Sequence, residues 1–345
     1  MAPLTRLPQT PLSVLDLAHL RQGSTTADTF RNTLELARHA ERLGYKRYWL
    51  AEHHNIAGVA CSATSVLIGY VAGGTSKIRV GSGGIMLPNH APLAIAEQFG
   101  TLETLYPGRI DLGLGRAPGG DSAVIRAFAR DQRRIGDDFP ELLAELRGLL
   151  AEPKPGQTIH AFPGEGTHVP VWLLGSSGFS AQLAGFLGLP FAFAAHFQPD
   201  SMMEALDLYR TCFRPSETLG KPYAMVGIPV IAADTDEKAE RLATVQQQKF
   251  LNLIRNHPGP LMPPVQSLDW SPFEQAMVAS KLRASIVGSR ETVRQKLEAF
   301  LEETQADELM IATDTFEQAD RLRSFEILAG LRGAAVAEPA GVEVA

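Results

Sequence analysis

Short runs of apolar and β-branched residues alternate with longer segments of helical periodicity along most of the chain. In the helical segments apolar residues recur every three or four positions, as at Phe30, Leu34 and Ala37, and Gly44 then marks a stop. This alternation is typical of parallel βαβ units. Eight segments are predicted as strands: residues 12–17, 46–52, 78–87, 109–115, 169–175, 190–196, 223–233 and 307–313. Eight units favour an α/β protein with a closed (β/α)8 TIM barrel.

Three connections, residues 116–136, 152–168 and 234–285, are longer than a compact domain usually needs. The first and third follow predicted strands four and seven, so they rise from the C-terminal mouth of the barrel, where active sites lie. The second precedes strand five and is expected at the opposite end. We therefore expect a single barrel over residues 1–333, an insertion at about 234–285 between strands seven and eight that serves as a lid, and a C-terminal tail over 334–345.

Composition narrows the range of partners. The 345 residues are 45% hydrophobic and 20% charged, with a net charge of −6. This balance predicts no nucleic-acid or membrane partner and favours a small-molecule ligand. Cys61 and Cys212 form neither a disulfide framework nor a thiolate metal site, and no export signal or membrane span is recognised, so a cytoplasmic location is expected.

Two adjacent histidines end predicted strand two, in the sequence Glu52-His53-His54. A metal site is one interpretation, but neighbouring strand residues point to opposite faces and no His-Glu-x-x-His or Cys/His spacing accompanies them. We therefore predict no metal. A hydrogen-bonded structural histidine at a strand end remains open for each residue.

Glycines interrupt predicted strand three in the run from Val80 to Pro88, which contains Gly81-Ser82-Gly83-Gly84. Glycine inside a buried strand usually marks a bulge or the close approach of a ligand, and a planar ring would fit there. The alternative is that these small residues leave room for bulky neighbours inside the barrel.

An anion site is predicted where strands four and five end. Arg116 would carry a guanidinium to the mouth, and residues 175–180, Gly-Ser-Ser-Gly-Phe-Ser, lead from strand five into a helix whose first N–H groups are unpaired. Together they suit a phosphate. A surface ion pair for Arg116 and an ordinary helix cap for the serines are the alternatives.

These motifs, taken in order, resemble the luciferase-like monooxygenase superfamily. The matching segments are residues 11–16 (PLSVLD), 51–54 (AEHH), 80–90 (VGSGGIMLPNH), 113–119 (GLGRAPG) and 174–181 (LGSSGFSA). The chain is similar to the single-chain members rather than to the light-emitting heterodimer subunits. The resemblance implies a TIM barrel with an insertion before its last strand, FMN at the C-terminal mouth, and a homodimer formed through the early helices.

The resemblance also implies roles for individual residues. His53 matches the catalytic histidine, and Gly83 and Gly84 match a small-residue pair joined by a cis peptide under the flavin ring. Arg116, Ser176 and Ser180 match phosphate contacts. His54 is a second catalytic candidate. The remaining cofactor-binding candidates lie beside these residues or at the mouth ends of strands five and six; they are Ile85, Gly175, Ser177 and His196.

The activity implied by the resemblance is oxygenation of a small organic substrate by reduced FMN and O2 through a C4a-hydroperoxyflavin. The chain has no G-x-G-x-x-G pattern between a strand and a helix, so a bound flavin would receive its electrons from a separate NAD(P)H:flavin reductase. Two alternatives stay open: an F420-dependent hydride-transfer enzyme and a non-catalytic flavin-binding protein.

Overall fold

The computed structural model describes residues 6–117, 119–120, 122–128 and 138–332. All eight predicted strands form, and they lie parallel in one closed ring. They are β1 (Leu12–Asp16), β2 (Arg47–Leu50), β3 (Arg79–Met86), β4 (Ile110–Gly115), β5 (Val171–Gly175), β6 (Phe191–Ala194), β7 (Ala224–Ala233) and β9 (Glu308–Ala312). Pairing of β6 with β7 and of β9 with both β7 and β1 closes the ring, so the predicted (β/α)8 barrel is confirmed.

Helices surround this ring, which is why every residue of β1, β2, β4 and β9 is buried. They are α1 (Thr26–Arg42), α2 (Thr64–Gly73), α3 (Pro92–Leu105), α4 (Ser122–Ala127), α5 (Phe139–Leu150), α6 (Gly178–Leu187), α7 (Met202–Cys212), α8 (Asp236–Ile254), α9 (Pro272–Lys281), α10 (Arg290–Thr304) and α11 (Gln318–Leu331). None of the described helices is long and apolar enough to cross a lipid bilayer.

Local sequence explains how α1 begins and ends. The Thr25 hydroxyl accepts from the Asp28 amide at 3.1 Å, and the Asp28 carboxylate accepts from the Thr25 amide at 2.9 Å, which is a complete capping box. Gly44 follows the helix with φ +76°, a left-handed conformation that favours glycine. The predicted stop at Gly44 is thereby confirmed.

A ninth strand, β8 (Ile286–Ser289), lies outside the ring and was not predicted. β7 is ten residues long, and its last four residues, Val230 to Ala233, pair with β8 above the barrel. Together with α8 and α9, these strand segments form an excursion from the barrel, residues 230–289. The excursion has two small apolar clusters of its own, one around Ile231 and one around Phe250. This excursion contains two helices and ends in a strand that lies just beyond the predicted insertion at 234–285.

Between α8 and α9 the chain crosses back over the mouth of the barrel. This segment, residues 255–271, is called the strap. Leu261 of the strap exchanges backbone hydrogen bonds with the loop after β1, donating to Leu20 at 2.8 Å and accepting from Gln22 at 2.9 Å. Leu261 itself is buried. The strap thus covers the β1 side of the mouth.

The opposite end of the barrel is plugged by charged side chains. Arg47 donates to Asp111 at 2.7 Å and to Glu308 at 2.9 Å, and its guanidinium lies over the Trp172 ring. All four side chains are buried. The connection over residues 152–168 joins α5 to the start of β5 and so lies toward this end, as predicted. The predicted tail over 334–345 and part of the connection over 116–136 fall outside the described residues.

Candidate active site

Glu52, two residues beyond the end of β2, organises the mouth. Its carboxylate accepts hydrogen bonds from His54 Nε2 at 2.8 Å, from His90 Nε2 at 2.9 Å and from the Met86 amide at 3.1 Å. Burial by itself raises the pKa of Glu52, but the hydrogen bonds from His54 and His90 outweigh it and lower the pKa to about 2. The carboxylate is therefore ionised at neutral pH.

His54 and His53 have different surroundings, although they are neighbours in the chain. The His54 ring is held by Glu52 and packs edge-on against Phe128, with ring centroids 4.9 Å apart. The His53 ring has no hydrogen bond to Glu52 and is influenced instead by His19 and by the backbone of Gly119. Burial, followed by the proximity of His19, lowers the pKa of His53, so its imidazole is neutral at neutral pH. Sequence alone did not identify His90 as a partner of Glu52, although it lies in the segment 80–90.

A second polar cluster lies across the mouth from Arg116 and was not predicted. Asp314, which follows β9, is buried; its Oδ1 lies 3.2 Å from His19 Nε2, and its Oδ2 accepts a hydrogen bond from Lys249 Nζ. Burial raises the pKa of Asp314, but the charges of Lys249 and His19 outweigh it and hold the pKa well below its ordinary value. Lys249 comes from α8, so the excursion contributes a cation to the mouth.

His196 is the predicted residue at the end of β6, and its Nδ1 is buried without a hydrogen-bond partner. That atom packs against Gly227 of β7: a Cβ on Gly227 would lie 2.8 Å from it. Burial is the main cause that lowers the pKa of His196 to about 4, and the charge of Lys249 adds to the effect. His196 is therefore a neutral imidazole beside the Lys249 cluster.

The structure brings Arg116 and the turn after β5 together. The Arg116 guanidinium lies 4.3 Å from the centroid of the Phe179 ring, in the first turn of α6. Ser177 is the N-cap of α6, but its side chain makes no capping hydrogen bond, so the first amides of the helix stay available. Ser176 is partly exposed and Ser177 is exposed, whereas Ser180 is buried behind Gly175.

Gly83 and Gly84 of β3 lie where neighbouring atoms leave no space for a side chain. The Gly83–Gly84 peptide is cis, as the resemblance implied. A Cβ on Gly83 would lie 2.8 Å from Leu15, and one on Gly84 would lie 2.7 Å from the Gly113 carbonyl oxygen. The strand register shifts here, between Gly83 and Ile85, and the Ile85 side chain is buried. The close approach of neighbouring atoms is therefore enough to require glycine at both positions, whether or not a flavin ring also lies against them.

Within the described part of the chain, no three or more His, Cys, Asp or Glu side chains are grouped so as to hold a metal ion.

Comparison with known proteins identifies the family. Residues 10–308 match the family model described as luciferase-like monooxygenase, and the chain belongs to this family. It is 62% identical to the uncharacterised protein YvbT of Bacillus subtilis (strain 168), over 93% of this chain and 96% of that protein. It is 54% identical to a luciferase-like monooxygenase of Escherichia coli (strain K12), over 91% and 95%. Identity to the N-acetyl-S-alkylcysteine monooxygenase of Bacillus subtilis (strain 168) is 39%, over 67% and 70%.

Solved structures agree with this assignment. The crystal structure of apo-MsnO8 matches with a TM-score of 0.87 and 36% identity, covering 93% of this chain and 98% of that one. The chain shares its fold with the oxygenating constituent of 3,6-diketocamphane monooxygenase in complex with FMN, at 18% identity and a TM-score of 0.73, covering 93% of this chain and 96% of that one. It also shares its fold with an F420-dependent secondary alcohol dehydrogenase, at 16% identity and a TM-score of 0.68, covering 93% of this chain and 98% of that one. These last two likenesses concern the fold alone.

Proposed function

We propose that this protein is a monooxygenase that binds reduced FMN, supplied by a separate NAD(P)H:flavin reductase, and uses O2 to oxygenate a small organic substrate. The observation that carries the proposal is that Arg116 meets the uncapped start of α6 at the same mouth that holds His53. Membership of the luciferase-like monooxygenase family supports the reaction class.

The FMN phosphate would bind between Arg116 and the first turn of α6. A guanidinium offers a paired donor to phosphate oxygens, and the free amides and positive end of the helix favour an anion. Ser176 and Ser177 would add hydroxyl donors, since neither is buried. Ser180 fits this role less well than the resemblance implied, because its side chain packs behind Gly175.

The flavin ring would lie toward Gly83 and Gly84, with His53 and His196 on the walls of the mouth and Ile85 and Gly175 beside it. Reduced flavin supplies the activation of oxygen when it is bound, and the protein binds it, orients it and excludes water. His53 is the proposed proton donor and acceptor, because its imidazole is neutral and is not held by a carboxylate. His54, the other catalytic candidate, would instead act through Glu52 by fixing the loop that carries His53.

The experiment that tests the proposal mixes the protein with reduced FMN in the absence of oxygen and then admits oxygen. We expect micromolar or tighter binding of reduced FMN and reoxidation at a rate different from that of free flavin. Binding with reoxidation at the free rate would indicate a non-catalytic flavin-binding protein. Binding of reduced F420 in a parallel titration, without binding of FMN, would indicate hydride transfer.

The proposed assembly is a homodimer that buries the outer faces of α2 and α3. Val66 and Tyr70 are four residues apart on α2, with 69% and 42% of their surface exposed, and Leu105 at the end of α3 is 62% exposed. The two helices contact each other, and Val66 and Tyr70 lie on one face of α2 because they are four residues apart. Exposed apolar side chains on neighbouring helices often mark an interface, and a second copy of the chain is the proposed occupant.

A further inference from the structure

The cluster of His19, Lys249 and Asp314 lies at the mouth, but the proposed flavin contacts do not use it. It joins three separate elements: the loop after β1, helix α8 and the loop after β9. A buried ion pair contributes little net stability, because both charges lose their hydration, so its position at a functional opening calls for a further explanation.

The positive end of the ion pair is the more exposed one. Asp314 Oδ1 lies toward the His19 imidazole and Oδ2 toward the Lys249 ammonium, and only 6% of the Asp314 side chain is exposed. By contrast, 25% of the Lys249 side chain is exposed. An ammonium has three donors, and the contact with Asp314 occupies one. Lys249 therefore presents hydrogen-bond donors and positive charge to the mouth.

Besides Asp314, Glu52 is a carboxylate that acts on this part of the mouth, and its oxygens already accept hydrogen bonds from His54, His90 and the Met86 amide. His196, whose Nδ1 has no partner, and His53 lie within electrostatic reach of one another, and His196 also lies near Lys249 and Asp314. His53 lies near His19 in turn. Three imidazoles and one ammonium thus lie on this side of the mouth, and the Asp314 carboxylate among them is buried.

We propose that Lys249 and its neighbours bind a carboxylate group of the organic substrate, so that the enzyme acts on small molecules that carry a carboxylate beside the oxygenated centre. This inference rests on the proposed monooxygenase function. The name of one relative, N-acetyl-S-alkylcysteine monooxygenase, describes a substrate of this class. Asp314 would hold Lys249 in place, and the bound carboxylate would take the free donors of the ammonium.

The test measures binding of N-acetyl-S-benzylcysteine and of its primary amide, by calorimetry, to the full chain with and without FMN. Because charge-assisted hydrogen bonds to the acid are lost in the amide, we expect the acid to bind roughly 10- to 100-fold more tightly. Lys249→Arg should keep this preference. The double variant Lys249→Met/Asp314→Asn, which leaves no unpaired buried charge, should bind acid and amide equally. Lys281→Met is the matched control, because Lys281 also lies near the mouth but pairs with Gln198, and it should keep the preference.

Three results would overturn the carboxylate site: equal binding of acid and amide by the native protein, no binding of either at millimolar concentration in the presence or absence of FMN, or a preference that survives in the double variant. Flavin binding and flavin-dependent oxygen consumption are recorded on the same preparations. If they are absent while the acid preference holds, the proposed function fails and the carboxylate site stands. If they are present while the preference is absent, only the carboxylate site fails.

Discussion

His53 and His54 are adjacent, yet only His54 has a carboxylate partner. His53→Ala should therefore remove the proposed proton donor while leaving the Glu52 cluster intact. We expect product formation to fall about a hundredfold, with more hydrogen peroxide released per flavin oxidised and little change in flavin affinity. Product and peroxide assays, with FMN titration, check this. Full oxygenation by His53→Ala would remove His53 from the mechanism, and a loss confined to His54→Ala would assign the role to its neighbour.

Glu52 makes folding stability depend on pH. Its pKa in the folded protein is about 2, below the ordinary value of 4.5, so the ionised form is favoured by folding. The contribution, about 3 kcal/mol at most, is present above pH 4.5 and lost as the pH falls toward 2. The free energy of unfolding of native protein and Glu52→Gln, compared in urea between pH 7 and pH 3, should converge at low pH. A constant difference would contradict the assignment of this pH dependence to Glu52.

Arg116 should contribute to the binding of FMN, which has a phosphate, but not to the binding of riboflavin, which has none. Arg116→Ala should weaken FMN binding at least several-fold, because a charge-assisted hydrogen bond contributes about 1.5–3 kcal/mol, and should leave riboflavin binding nearly unchanged. Titration of both ligands by flavin fluorescence measures the difference. Arg116→Lys should recover part of the FMN affinity, since it keeps the charge but loses the paired donor geometry. Equal losses for FMN and riboflavin would mean that Arg116 does not contact the phosphate.

At the scale of elements, the strap makes a very close backbone approach to Gly58, in addition to the hydrogen bonds of Leu261. A Cβ on Gly58, in the loop after β2, would lie 2.1 Å from the Gly259 carbonyl oxygen, so Gly58→Ala should push the strap away from the mouth. We expect faster protease cleavage within residues 255–271 and a lower melting temperature. Gly148→Ala is the control: a Cβ there meets nothing within 4 Å in helix α5, and the change should be neutral or slightly stabilising. Unchanged cleavage of Gly58→Ala would show that the strap accommodates a methyl group.

Some elements of the fold could be predicted from the sequence and others could not. Most ring strands carry a short apolar run between turn signals, whereas β3 and β4 are interrupted by glycine or polar residues and are recognised from the repeated alternation of strand and helix. β8 has four residues, among them Gly288 and Ser289, and so lacks a recognisable run. The pairing of Lys249 with Asp314 spans 65 positions and depends on α8 returning to the mouth, which no local pattern encodes. The neighbours that require small residues at Gly83 and Gly84 come from other strands, so sequence could not decide between ligand and packing.

For the whole molecule, the proposed dimer gives a direct test. Val66→Glu places a charge among the exposed apolar side chains of α2 and α3 and should convert the protein to monomer at micromolar concentration, with the barrel still folded. Sedimentation velocity and circular dichroism measure the two properties. Leu253→Glu, at a residue that is 53% exposed on α8, is the matched control and should leave the assembly unchanged. A native protein that sediments as a monomer would contradict the homodimer.

The plug formed by Arg47, Asp111 and Glu308 has a kinetic consequence. Because these buried side chains close one end of the barrel, the flavin, oxygen, substrate and product of the proposed reaction would share the mouth as their route in and out. Under that proposal, a flavin bound below the substrate would enter first and leave last. Replacement of oxidised by reduced flavin would then follow product release, so product release would limit how soon the next cycle begins.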